Sequence, residues 1–104
     1  MQTIIIVLDA EKMTNPDLDI RYTLPERIEE YTNEQVKDNG YDYISRSKLG
    51  LWLQTDNSAE FADKIIQLIN TEKFFANDLS IAAEIYISDE ECAEVENCRK
   101  IFPV

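Results

Sequence analysis

Thr3-Ile4-Ile5-Ile6-Val7-Leu8 decides the fold. The run is short, mostly β-branched and apolar at successive positions, which reads as a strand buried on both faces and ending at Asp9. Such a strand needs a neighbour on each side and a cover above and below it. The rest of the 104-residue chain is read for what supplies them.

After a polar stretch, Leu18, Ile20, Tyr22 and Leu24 alternate with Asp17, Asp19, Arg21 and Thr23, a period of two that predicts an edge strand or an ordered extended loop. Thr23-Leu24-Pro25-Glu26 has capping-box spacing with proline near the first helical position. A helix is predicted from about Pro25 to Asn39, with Gly40 as its stop. Tyr41 to Ser45 and Leu49 to Thr55, separated by Arg46-Ser47-Lys48, suit a hairpin. Asn57 with Glu60 three residues on opens a second helix, whose apolar stripe of Phe61, Ala62, Ile65, Ile66, Leu68 and Ile69 runs to about Lys73.

Leu79 to Ser88 places Ile81, Ala83, Ile85 and Ile87 in alternation, a strand with one buried face. Ser88 and Glu91 repeat the capping-box spacing and predict a short C-terminal helix to Arg99 or Lys100, stopped by Pro103. The expected fold is a single α+β domain over residues 1–104, a two-layer sandwich of ferredoxin-like βαββαβ order with an added C-terminal helix.

Composition narrows the function. With 44% hydrophobic residues and only two glycines, the chain carries enough apolar surface to fold alone. No basic residues precede the first apolar run, which is too short for a secretory or membrane segment, so a cytoplasmic protein is expected. Cys92 and Cys98 have no partner cysteines or histidines, and two free thiols are expected. The absence of histidine removes the usual general base and metal ligand, and no glycine-rich phosphate loop is present. No cofactor, no metal and no enzymatic activity are expected. The enzyme alternative rests on carboxylates alone, Asp9 with Glu11 at a strand end and Asp17 with Asp19, which turn-capping roles explain as well.

The formal charge of −11 repels nucleic acid and anionic membrane and favours a cationic partner. On the first predicted helix Glu26, Glu30, Glu34 and Asp38 fall at successive i+4 spacings, a like-charge stripe that helix stability would not select. It reads either as a solvated face or as a docking face. A second acidic cluster runs from Glu84 through Glu90 and Glu94 to Glu96 without a base. Trp52 and Tyr86 alternate with the core-marking residues of their strands and so point to the other side of the sheet, either to solvent or beneath the C-terminal helix with Val95 and Phe102. The candidate partner-binding residues are therefore Glu26, Glu30, Glu34, Asp38, Trp52, Glu84, Tyr86, Glu90 and Glu94.

The stretch Asn15-Pro16-Asp17-Leu18-Asp19-Ile20-Arg21-Tyr22-Thr23-Leu24-Pro25, followed by Asp38-Asn39-Gly40-Tyr41-Asp42-Tyr43, resembles small acidic bacterial immunity proteins of polymorphic and contact-dependent growth-inhibition toxin systems. The resemblance implies a cytosolic antidote that binds one cognate toxin domain, often a basic nuclease, and neutralises it. An acidic protein-binding module or small subunit of a larger complex is the alternative expectation.

Overall fold

In the computed structural model, which describes residues 1–103, the apolar run forms the centre of the fold: β1 (Gln2–Asp9) pairs antiparallel with β3 (Lys48–Thr55) on one side and β4 (Ala83–Ser88) on the other. β2 (Val36–Tyr43) extends the sheet beyond β3, and β5 (Arg99–Phe102) beyond β4. The result is a five-stranded antiparallel sheet of order β2-β3-β1-β4-β5. Two helices, α1 (Ile20–Tyr31) and α2 (Ser58–Thr71), pack on the face that carries Ile4, Ile6 and Leu8. No helix among the described residues is long and apolar enough to cross a membrane.

The second helix follows its sequence signals closely, with the Asn57 side chain accepting from the Glu60 amide at 3.1 Å and Ala62, Ile65, Leu68 and Ile69 buried. The first differs from expectation at both ends. Residues 17–24 are not extended, because Ile20, Leu24 and Ile28 make one buried helical row while Leu18 and Tyr22 stay exposed. Asp17 sets the start, its Oδ1 accepting from the Asp19 amide at 2.9 Å. Pro25 then falls inside α1, where proline costs about 3 kcal/mol. Full burial of three aliphatic side chains, at roughly 1.5–3 kcal/mol each, outweighs that cost.

The helix ends at Tyr31, well before Gly40. Asn33 and Glu34 adopt left-handed φ values of 52° and 63°, and their amides turn back to Glu30 and Glu29 carbonyls in a Schellman closure. Thr32 reinforces the stop by donating its hydroxyl to the Ile28 carbonyl at 2.8 Å. The chain is thereby released early into β2, which starts at Val36 and absorbs a bulge between Asp38 and Tyr41, with Gly40 at φ 98°.

The expected C-terminal helix is replaced by a belt. The Ser88 hydroxyl takes the Glu90 amide, and Cys92 has a left-handed φ of 51°, so the chain crosses the second face of the sheet without coiling. Thr3 Oγ1 donates to the Glu90 carbonyl at 2.7 Å and accepts from the Ala93 amide at 3.2 Å. Trp52 Nε1 donates to the Ala93 carbonyl at 3.0 Å. These three bonds hold the belt over Ile5, which is fully buried, before a 3-10 turn at Val95–Asn97 leads into β5. The alternating strand β4 likewise begins later than its pattern, since Leu79–Ile81 forms a 3-10 turn and leaves Ile81 66% exposed.

Candidate partner-binding surface

Helix α1 and the edge strand β2 meet along the open side of the sheet. Register pairs Tyr41 with Leu51 and Tyr43 with Leu49, both core residues, so the two tyrosines stand on the helix side of β2. The outer face of α1 supplies Leu18, Arg21 and Tyr22, the first preceding the helix and the others in its first turn. Tyr22 meets Tyr41 edge to face, with centroids 6.1 Å apart and planes at 90°. The Arg21 guanidinium lies 4.6 Å from the Tyr22 centroid and 5.3 Å from that of Tyr41, within cation–π range. Arg21 also donates to the Leu18 carbonyl at 3.2 Å.

Contact with Arg21, and next with Tyr41, holds the Tyr22 phenol below its usual value, whereas contact with Tyr22 raises that of Tyr41. Leu18, Tyr22, Tyr41 and Tyr43 are each exposed despite their size, at 44–55% of their full surface. Fixed aromatic rings around a stacked arginine are the side chains most enriched among binding hot spots. Asp17, Asp19, Asp38 and Asp42 surround them in sequence, and none forms an ion pair among the described residues.

The acidic stripe expected along the first helix does not exist. Glu26 and Glu30 lie on α1, but Glu34 is in the Schellman turn and Asp38 on β2. Glu30 is held by Arg27 at 2.7 Å and Glu34 by Lys37 at 3.1 Å. Asp38 takes the Gly40 amide at 3.0 Å, just as Asp42 takes that of Tyr43 at 2.8 Å. Arg27 is further committed to a two-pronged pair with Glu72, at 2.9 and 3.0 Å, which ties α1 to the end of α2 and holds the Glu72 carboxyl below its usual value.

On the opposite face, Trp52 and Tyr86 flank Ile5 in one cross-strand row and are half-buried. The Trp52 NH is already bonded to the belt, and the Tyr86 hydroxyl donates to Glu84 Oε1 at 3.0 Å. Burial would push the Glu84 carboxyl up, but Tyr86 and Lys100, the latter at 3.3 Å, outweigh it and hold it below the usual value. Burial, with Glu84, raises the Tyr86 phenol. Glu90 and Glu94 are exposed on the belt, and Glu94 shares an open concavity of about 360 Å³ with Trp52, Cys92 and Tyr41. The structure thus brings Trp52 together with Glu94, and Tyr86 with Glu84, around one cross-strand row, and places Glu26, Glu30, Glu34 and Asp38 away from them on α1, its closing turn and β2.

Asp9 caps the turn after β1 through the Glu11 amide at 3.0 Å, and Asp17 closes the turn that leads into α1 through the Asp19 amide. The two line different cavities. No group of three or more His, Cys, Asp and Glu side chains among the described residues could hold a metal ion. Both cysteines are free thiols, and burial together with Glu90 and Glu96 pushes that of Cys98 up.

Sequence reasoning missed Leu18, Arg21, Tyr22, Tyr41 and Tyr43. The signal was the i+4 row Ile20, Leu24 and Ile28, which once taken as the buried side leaves Leu18, Arg21 and Tyr22 on the outside. Compared with protein-family models, with curated proteins and with solved structures, the chain gives no match.

Proposed function

We propose that the chain is an immunity protein: a stoichiometric, non-catalytic inhibitor that binds a basic toxin domain, a nuclease being the natural class, in the cytoplasm. The observation that carries this reading is the exposed cluster of Tyr22 and Tyr41 around Arg21, with Tyr43 exposed on the same side of β2, set in a protein of charge −11. Aromatic anchors supply short-range binding energy, and the acidic field accelerates encounter with a basic surface of the kind nucleases use to hold phosphates. Trp52, Tyr86 and Glu84 are poorer anchors, because their polar atoms are already bonded within the protein. The strand order β2-β3-β1-β4 with both helices on one face supports a ferredoxin-like assignment in which β5 is an added edge strand.

The test begins with capture of the partner from the native host on the immobilised chain, followed by titration of the purified partner's nuclease activity. Complete inhibition at one equivalent is expected. Tyr22→Ala and Tyr41→Ala should each weaken binding by about 30-fold, the size of a hot-spot loss of roughly 2 kcal/mol. A captured partner that keeps full activity when saturated would leave a binding module or complex subunit. Unchanged affinity in both variants would remove this surface from the account.

A further inference from the structure

Beside the tyrosine cluster, between the loop that precedes α1 and the β2–β3 hairpin, lies a cleft of about 220 Å³. Leu8, Ile20 and Leu49 line it and are almost wholly buried, so its floor is the end of the hydrophobic core. Its walls include Met13, Leu18 and Tyr43, and the last two belong also to the exposed cluster. Cleft and cluster therefore form one continuous surface.

We propose that this cleft receives a single apolar side chain carried on a basic segment of the protein partner, an inference that rests on the docking reading above. Size is the first argument. Pockets that enclose small-molecule ligands span roughly 300–1,000 Å³, and this cleft falls below that range while suiting one aliphatic or aromatic side chain.

Preorganisation is the second argument. The loop wall is clamped by Asn77, itself 1% exposed, whose Oδ1 accepts from the Asn15 amide and whose Nδ2 donates to the Asn15 carbonyl, both at 2.7 Å. The hairpin wall is tied to the turn after β1 by the Ala10 amide on the Ser47 carbonyl at 2.8 Å. Walls fixed in this way hold the cleft open without a partner and reduce the ordering cost of binding.

Charge is the third. Asp17 lines the cleft, with Asp19 two residues on, and neither is ion-paired among the described residues. Arg46 also lines it and Arg21 is stacked on the rings, so the local charge is balanced, but the field of the whole protein is strongly negative. An apolar anchor flanked by lysine or arginine satisfies floor and field together; one flanked by acids does not.

The experiment uses the ¹⁵N-labelled full chain and three blocked tripeptides, Lys-Leu-Lys, Lys-Ser-Lys and Glu-Leu-Glu, followed by amide chemical shifts. Saturable shifts centred on Leu18, Tyr43 and Leu49 are expected from Lys-Leu-Lys alone, at millimolar concentration, and should weaken at least threefold in Leu18→Ser. Leu18 is 55% exposed, so this substitution leaves the core intact. Equal shifts from Lys-Ser-Lys or Glu-Leu-Glu, shifts centred elsewhere, or no saturable shifts would overturn the proposal. Failure here with Tyr22- and Tyr41-dependent inhibition of the toxin retained would overturn the cleft assignment alone. Loss of that dependence with Lys-Leu-Lys binding intact would instead overturn the wider docking reading.

Discussion

Gly50→Ala tests how the second face of the sheet is built. Gly50 lies on β3 opposite Val7 and Asp42, and a Cβ there would stand 2.6 Å from Trp52 Cζ3, 3.1 Å from Trp52 Cη2 and 3.0 Å from Ile44 Cδ1. The indole cannot swing aside freely, since its Nε1 is bonded to Ala93, whose amide is bonded in turn to Thr3. Overpacking costs about 1–3 kcal/mol. Loss of the indole hydrogen bond adds roughly 0.5–1.5 kcal/mol. The smaller entropy of the unfolded alanine chain returns about 0.4–1 kcal/mol. The expected net destabilisation is about 2 kcal/mol, or a fall in Tm of roughly 8–16 °C for a domain of this size.

Trp52 is the sole tryptophan, so urea unfolding followed by its fluorescence reads the effect directly, with a red-shifted native emission as the ring loses its cover. The decisive comparison is Gly50→Ala in a Trp52→Leu background, where the indole contacts are gone and only the exposed end of Ile44 has to shift, so the alanine should be close to neutral. An equal loss of stability in both backgrounds would refute the reasoning.

Three further outcomes follow from the same geometry. At the left-handed Asn33 the substitution Asn33→Ala should lower stability by about 1 kcal/mol while Asn33→Gly leaves it level or higher, measured by denaturant midpoint. The Arg27 contact depresses the Glu72 carboxyl below its usual 4.5, so its stabilisation is complete above about that pH and is lost as pH falls through the depressed folded-state value. Glu72→Gln should therefore flatten the acid limb of the stability curve and leave the alkaline limb unchanged. Ile44 directs its amide inward to the Lys48 carbonyl, so by strand alternation the Tyr43 amide faces the open edge, where Asp42 covers it. Asp38→Ala with Asp42→Ala should uncover that edge and produce concentration-dependent self-association in sedimentation, and a variant that stays monomeric would contradict the assignment.

Much of the fold is legible wherever one local signal acts alone. The apolar run of β1, the second hairpin strand β3, the Asn57 cap of α2 and the alternation from Ala83 to Ile87 all stand where their patterns put them, whereas the first hairpin strand, expected from Tyr41 to Ser45, runs from Val36 to Tyr43. The failures come where two signals compete. Leu18 to Leu24 fits a period of two as well as one of 3.6, and only the burial of Ile20, Leu24 and Ile28 against the sheet selects the helix. Gly40 outranks Asn33 as a helix stop by residue type, yet Asn33 lies where the buried row ends and Gly40 serves a bulge.

Ser88 and Glu91 have helix-cap spacing, but Thr3, nearly the whole chain away, draws the segment into the belt. The candidate site suffers most. Acid counts are visible in composition, whereas the Tyr22, Tyr41 and Tyr43 cluster depends on which side of α1 is outermost and which strand is the edge.

The belt across Thr3 also governs how the protein comes off the ribosome. β1 is made first, but one of its two pairing neighbours is β4, and the bonds that close over Ile5 reach Glu90 and Ala93. Pairings of such sequence separation form late, so Thr3–Leu8, with the composition of an aggregating strand, keeps one edge and the face around Ile5 uncovered until residues 83–93 have been made. Through that interval the surplus of acids keeps growing chains apart by mutual repulsion. The charge proposed above to steer the finished protein to a partner would, on this account, act first during its own synthesis.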